Sequence, residues 1–500
     1  DLLQASAWLA LGYPFRTLSA FQATPRFQSD PFSAGVGSGD PAANGVVLWT
    51  RLMPDANRIE AWQRESVAVD WQVATDENMT RVIRSGRVRA RPEYGHSVHV
   101  QVGGLQPGRW YWYRFRAGSA TSDIGRTKTA PAGAADRIRF AFASCQSFHQ
   151  GFYTAYQHMA KEDIDVVVFL GDYIYETGGS AVRTVPTVEC TTLDLYRERY
   201  ALHRSDPHLR EAHRLFPWII TWDDHEVDNN YANDNAADTQ SSVELLKRRS
   251  AGYQAHYEWQ PLPKACIPTG AKSRMYRRVS YGALANFLIL DGRQFRGDQP
   301  CGDGTKAPCE DFTRDRAMLG VAQERWLSRE LRTSRARWNI IGNQVRMTVV
   351  DQMAGSGESY SMDQWSGYDN ARRRIVADLQ DSRASNPVVI TGDIHSNWVG
   401  DLKIDYRELK SPIVATELVG TSISSGGDGV DVSPNAAAYL PENPQIRFHN
   451  NQRGYVRCEV TPKSLTADFR VVQKVSEPDS PISTRATFIV ESGQPGANRV

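Results

Sequence analysis

The sequence predicts an α+β protein in two parts, an antiparallel β-sandwich followed by a layered domain of strands and helices. Three observations carry this expectation. Residues ~30–130 alternate apolar and polar side chains with period two and show no long helical period. From ~136 onward, short apolar runs alternate with helical spacing. A chain of 500 residues also exceeds one ordinary hydrophobic core, so two domains are expected.

In chain order, residues 1–29 read as an N-terminal extension. Leu2 to Leu11 is apolar, too short to span a bilayer, and fits either the apolar core of a signal peptide or an N-terminal helix packed on the body. Residues 30–130 carry candidate strands at Val46–Arg51, Val67–Val73, Ser97–Val102 and Tyr111–Phe115, joined by turn residues such as Gly39-Asp40-Pro41 and Pro107-Gly108. The run from Gly104 to Tyr113 resembles the corner of a fibronectin type III domain, where an aromatic anchors the start of a strand. Thr127 to Ala135, small and Pro/Gly-bearing, is the candidate linker.

The layered domain is expected over residues 136–475. Ser241-Ser242-Val243-Glu244 forms a capping-box pattern ahead of a helix bearing Leu245, Leu246, Tyr253 and Tyr257. Val321–Leu331 and Tyr368–Leu379 also show helical spacing, and buried strands are expected at Phe287–Leu290 and Trp338–Ile341. After ~412 the pattern is again β-rich. Residues 476–500 are a candidate cap, with the segment from Glu491 reading as loose.

The composition, 41% hydrophobic and 23% charged with net charge +1, belongs to a globular protein with no broad polyanion-binding field. It favours a small substrate over a nucleic acid, and a monomer is expected. No apolar stretch approaches the ~20 residues of a membrane span. Six cysteines do not make a disulfide scaffold. Cys301 and Cys309 bracket a turn-rich loop and read equally as a local disulfide or as free thiols, Cys190 and Cys266 are further possible partners, and Cys458 reads as a core residue.

Four polar motifs each follow an apolar run: Ala143-Ser144-Cys145, Gly171-Asp172-Tyr173-Ile174-Tyr175, Asp223-Asp224-His225-Glu226 and Gly392-Asp393-Ile394-His395. Strand ends are where layered domains gather ligands from distant parts of a chain, so a metal-dependent hydrolase is the leading expectation. Asp172 has two oxygens with which to bridge two cations. The phenol of Tyr175 is a hard ligand suited to ferric iron, whereas Tyr173 reads as packing. The thiol of Cys145 favours a transition metal. Three acids and an imidazole in four residues repel one another unless cations neutralise them. His225 in that cluster is a candidate catalytic residue, stabilising charge on a phosphoryl group or protonating a leaving group. Arg293 follows a buried strand and is a candidate phosphate clamp, although a salt bridge is the commoner fate of such an arginine.

Together these motifs resemble those of the calcineurin-like metallophosphoesterases, with Gly171-Asp172, Asp224-His225-Glu226 and Gly392-Asp393-Ile394-His395 in the matching places. Cys145 stands where that superfamily has an acidic ligand, Asp224 replaces an Asn, and Asp393 replaces a His. The spacing from Asp172 to Tyr175 is similar to that of the iron-binding tyrosine of purple acid phosphatases. With the N-terminal sandwich, the pattern is similar to the PhoD-type alkaline phosphatases over most of residues 30–475.

That resemblance implies a layered αββα metallophosphoesterase domain and a phosphoesterase using Fe3+ with Ca2+. It implies Cys145, Asp172, Tyr175 and His395 around the iron, with Asp172 bridging to calcium held also by Asp224 and Asp393. Asn343 stands where a further metal ligand of the superfamily belongs, and Asn229 and Asn230 are weaker candidates for a second calcium. In-line attack on phosphorus by a metal-activated hydroxide or oxo group is then the implied chemistry, on phosphate esters and with release of phosphate. The resemblance further implies twin-arginine export, and so a periplasmic or secreted protein. Two alternatives stand beside this: a diesterase acting on phospholipid headgroups or wall polymers, and an adhesion module on a degenerate metal domain.

Overall fold

A computed structural model describes residues 27–500 except 55–61, 63, 239 and 409. The candidate signal segment Leu2–Leu11 lies outside the described residues. The architecture is α+β, with two large sheets face to face and helices on their outer surfaces.

The first sheet has ten strands. At its centre Ile138–Ala143, Val166–Phe169 and Pro217–Ile220 run parallel, with Ala143 opposite Phe169 and Phe169 opposite Ile220. The second has eight strands, of which Ala285–Ile289, Trp338–Asn343, Pro387–Thr391 and Ile413–Val419 run parallel in that order. Each central strand is apolar on both faces, which is why these runs lack alternation in the sequence. Phe140, Phe142, Val168, Phe287, Ile340 and Ile390 meet in the core between the sheets. Their neighbours turn outward. Ala141, Val167, Phe169 and Trp218 pack under the helices Leu193–Arg204, Pro207–Leu215 and Ser242–Trp259. Leu288, Ile341 and Val389 pack under Gly320–Thr333 and Asp369–Asp381. The helix Ser242–Trp259 opens with the reciprocal capping box expected of Ser241 and Glu244.

The N-terminal sandwich shares a sheet with this body. Val67–Ala74, Val82–Ala90, Trp110–Ala117 and Gly125–Lys128 form one layer, packed through Val69, Val73, Tyr113 and Phe115 on Val36–Ala42, Gly45–Arg51 and Ser97–Gly103. The second layer belongs to the ten-stranded sheet, because Val36–Ala42 pairs in parallel with Pro217–Ile220. The hydroxyl of Tyr111 accepts the backbone N–H of Gln106 at 2.8 Å, the aromatic corner expected there. The candidate linker begins inside the strand Gly125–Lys128.

The C-terminal segment departs from its reading as a cap with a loose end. Ile482–Glu491 is a ten-residue strand paired along its length with Ser464–Val472, and Asn498–Arg499 adds a final short strand. Its alternating Ala486, Phe488 and Val490 fill the end of the inter-sheet core, which is what holds it in the sheet. Cys301 and Cys309 form a disulfide, Cys190 and Cys266 are free, and Cys458 is a buried core residue.

Candidate metal centre

The parallel strands of both sheets end at one rim, and the four motifs lie just beyond their ends. The chain turns sharply there. Cys145, Asp172, Asp393 and His395 all have positive φ, between 51° and 65°, a left-handed conformation that is costly for residues with side chains and clusters at functional sites. Two glycines let the motif loops approach one another. A Cβ on Gly171 would lie 2.4 Å from Cβ of Asp223, and one on Gly392 would lie 2.6 Å from Oγ of Ser144.

Ligand-grade atoms converge in three overlapping groups, each with its atoms within 4.8 Å of one another: Cys145, Asp172 and His395; Asp172, Asp224 and His225; Asp223, Asp224 and Asp393. Asp172 is common to the first two and Asp224 to the last two. The Tyr175 hydroxyl lies 3.1 Å from Oδ2 of Asp172, 3.0 Å from Nε2 of His395 and 2.7 Å from Oγ of Ser425. A thiol, a phenol and an imidazole therefore meet on one side of Asp172, and the carboxylates of Asp223, Asp224 and Asp393, with the His225 imidazole beside them, on the other.

The donor set fits cations. Asp172 Oδ1, Asp223 Oδ2 and Asp224 Oδ1 are buried without a hydrogen-bond partner, and buried carboxylates call for paired charge. Burial, with the nearby charge of Asp224, pushes the Asp172 carboxyl well above its usual range. Burial and then Asp172 push the Cys145 thiol and the Tyr175 phenol up. Burial, with Arg453 and His225, holds the His395 imidazole down to about 3, so it is neutral and free to ligate. The set divides by donor type as well: a mix of sulfur, phenol and imidazole suits a transition metal such as iron, and carboxylate oxygens suit calcium.

Supporting residues to which the sequence assigned no role of their own fix this cage. The Glu226 carboxylate accepts the backbone N–H groups of Asp172, Tyr173 and Asp223, tying two motif loops together. Glu176 Oε2 lies 2.6 Å from Nδ1 of His225, and its other oxygen accepts the N–H of Asn229. Burial opposes charge on His225, but Glu176, Asp224 and Asp172 outweigh it and raise its pKa well above the ordinary value. The His225 ring lies tilted against Tyr175, ring centroids 4.1 Å apart. Tyr173 is a packing residue, set against Phe169 and Tyr200.

Two expected roles do not survive the geometry. Arg293 is fully buried and its guanidinium is taken up by Asp223, Asp363 and Asp393, with Asp224 3.6 Å away, so it braces the carboxylates instead of clamping a phosphate. Asn343 is also fully buried. Its amide N–H donates to the Val345 carbonyl and its oxygen accepts from the Trp365 indole at 3.2 Å, so both ends are engaged behind the rim and not at the cage. Of the weaker candidates, Asn229 meets Glu176 through its backbone, while Asn230 donates its N–H to Asp224 and its side-chain amide to Asp303 in the disulfide loop.

A rim of two facing sheets that carries such a cage defines a metal-dependent hydrolase of the layered αββα class. Residues 140–469 match the PhoD-like phosphatase family, and residues 18–131 match the N-terminal domain of PhoD-like phosphatases. The chain is 45% identical over 507 aligned residues to alkaline phosphatase D of Bacillus subtilis (strain 168), covering 99% of this chain and 87% of that protein. It superposes on a solved structure of PhoD with a TM-score of 0.92 at 45% identity, covering 95% of this chain and 93% of the other. The chain belongs to the PhoD-like phosphatases and is a phosphoric ester hydrolase. No helix among the described residues is long and apolar enough to cross a membrane.

Proposed function

We propose that this phosphatase hydrolyses phosphate monoesters and diesters at a mixed iron–calcium centre, as an exported, monomeric enzyme. Cys145, Asp172, Tyr175 and His395 would hold ferric iron; Asp172, Asp224 and Asp393, joined by Asp223, would hold calcium. When bound, the cations supply Lewis acidity that neutralises phosphoryl oxygens and activates water. The observation that carries this reading is Asp172, whose carboxylate lies within ligand distance of both donor sets and keeps one oxygen buried without a protein partner.

The chain's own residues then divide the remaining work. His225 faces the cage with a side chain 17% accessible and Glu176 on its Nδ1. That leaves Nε2 to stabilise charge on the phosphoryl group or to donate a proton to the departing alkoxide. Arg293 keeps Asp223 and Asp393 in place, and Glu226 keeps the two motif loops in register. Steady-state rates on nitrophenyl phosphate and bis-nitrophenyl phosphate, for the wild type, Asp172→Asn and His395→Ala, test the proposal. Loss of both activities in both variants is expected. Full activity in a correctly folded Asp172→Asn protein would end it.

A further inference from the structure

The turn Thr421–Ser425 follows the strand Ile413–Val419 and is fully buried. It grips the Cys145 loop throughout. Ile423 N–H donates to the Ser144 carbonyl at 3.0 Å, Ser424 Oγ to the Ser147 carbonyl at 2.8 Å, and Ser425 N–H to the Cys145 carbonyl at 3.3 Å. Ser425 goes further than its neighbours. Its hydroxyl accepts the Ser147 N–H at 3.0 Å and has two acceptors in reach of its single proton, the Cys145 carbonyl at 2.8 Å and the Tyr175 oxygen at 2.7 Å.

We propose that Ser425 is the positioning residue of the thiol–phenol side of the cage, donating its one proton to the Tyr175 oxygen when that oxygen serves as a phenolate ligand. The inference rests on the ferric reading above. A protonated Tyr175 donates outward, to Asp172 or His395, whereas a phenolate is acceptor-only. A hydrogen bond to an anionic oxygen is shorter and stronger than one to a neutral carbonyl, so the Ser425 proton turns from Cys145 to Tyr175. The Cys145 carbonyl still has the backbone N–H of Ser425. One hydroxyl thus fixes the phenol against the thiol loop and draws electron density from the phenolate. Without it, the phenolate donates more strongly to iron and its charge-transfer band moves to lower energy.

The experiment is visible absorption and iron content of wild type, Ser425→Ala, Ser425→Cys and Ser424→Ala, each purified as the iron-loaded protein. Ser425→Cys retains the volume without a strong donor, so it remains informative if the alanine variant fails to fold. The expected result is a band at longer wavelength in the Ser425 variants and, because the phenol is no longer fixed against the thiol loop, iron retention against a chelator weakened by roughly 10–100-fold. Ser424→Ala, whose hydroxyl reaches only Ser147, leaves the band in place. An unmoved band in iron-loaded Ser425 variants, or an equal shift in Ser424→Ala, overturns the inference alone. A wild-type protein that binds iron with no such band overturns the phenolate reading and this inference with it.

Discussion

On one side of Asp172 the cage consists of groups that satisfy one another while neutral: the Tyr175 hydroxyl reaches Asp172, His395 and Ser425, and Ser425 reaches back to the Cys145 loop. On the other side Asp223, Asp224 and Asp393 crowd together, and what holds them is the charge of Arg293, itself pinned by Asp363. The first side is preorganised by hydrogen bonds and keeps its shape without a cation. The second is a balance of buried charges that turns on Arg293, and removing it leaves the aspartates uncompensated.

That contrast is broken most severely at Arg293. Arg293→Met leaves a cluster of buried aspartates without their common partner, and a loss of about 3–5 kcal/mol in the metal-free protein is expected. Thermal unfolding with and without calcium measures it, and calcium should restore part of the loss. Ser425→Ala, on the other side, should cost about 0.5–1.5 kcal/mol, with no recovery on adding calcium. Next in size is the pair behind the chemistry. His225→Gln should lower kcat about 10²–10³-fold, and Glu176→Gln, which frees the imidazole from its anchor, about 10–100-fold. Steady-state kinetics that leave Glu176→Gln at the wild-type rate would remove Glu176 from the mechanism.

The convergence was legible because each of its motifs follows an apolar run that only a buried strand can explain. The structure brings Cys145, Asp172, Tyr175, Asp224, His225, Asp393 and His395 together, as those runs and the family resemblance lead one to expect. What the sequence could not convey is side-chain direction. Arg293 and Asn343 stand at the right rim, yet one is enclosed by aspartates and the other bonds within its own turn. Glu226 belongs to a recognised motif and Glu176 follows another, but nothing in either sequence context separates a bracing carboxylate from a ligand or a solvated one. The turn Thr421–Ser425 has no distinguishing chemistry until the fold lays it against Cys145. The strand Val82–Ala90 was missed because it is an exposed edge strand bearing Arg84, Arg87 and Arg89 where a buried strand would show apolar residues.

Histidines outside the cage sharpen the comparison through pH. Burial holds His203 and His256 down to about 3, so both are neutral in the folded protein. The unfolded value is about 6.5. Below it, unfolding takes up a proton at each residue, so their contribution is complete above pH 6.5 and falls as the pH drops toward the folded values. The decline is up to about 1.4 kcal/mol per pH unit for each. Thermal midpoints between pH 7 and 5 should fall, and the fall should be smaller in His203→Gln and His256→Gln backgrounds.

The effect on activity should be smallest at the rim. The disulfide Cys301–Cys309 closes the loop that carries Asp303, which receives the amide of Asn230 beside Asp224. Replacing both cysteines by serine should cost about 2–3 kcal/mol and raise KM more than it lowers kcat. An unchanged KM would detach the loop from the site.

The measurement that bears most directly on the shared role of Asp172 is elemental analysis of wild type and Asp172→Asn purified without added metal. Iron and calcium together in the wild type, and loss of both in the variant, are the predicted result. A fully active wild type containing zinc alone, or a folded Asp172→Asn protein that retains both iron and calcium, would contradict it.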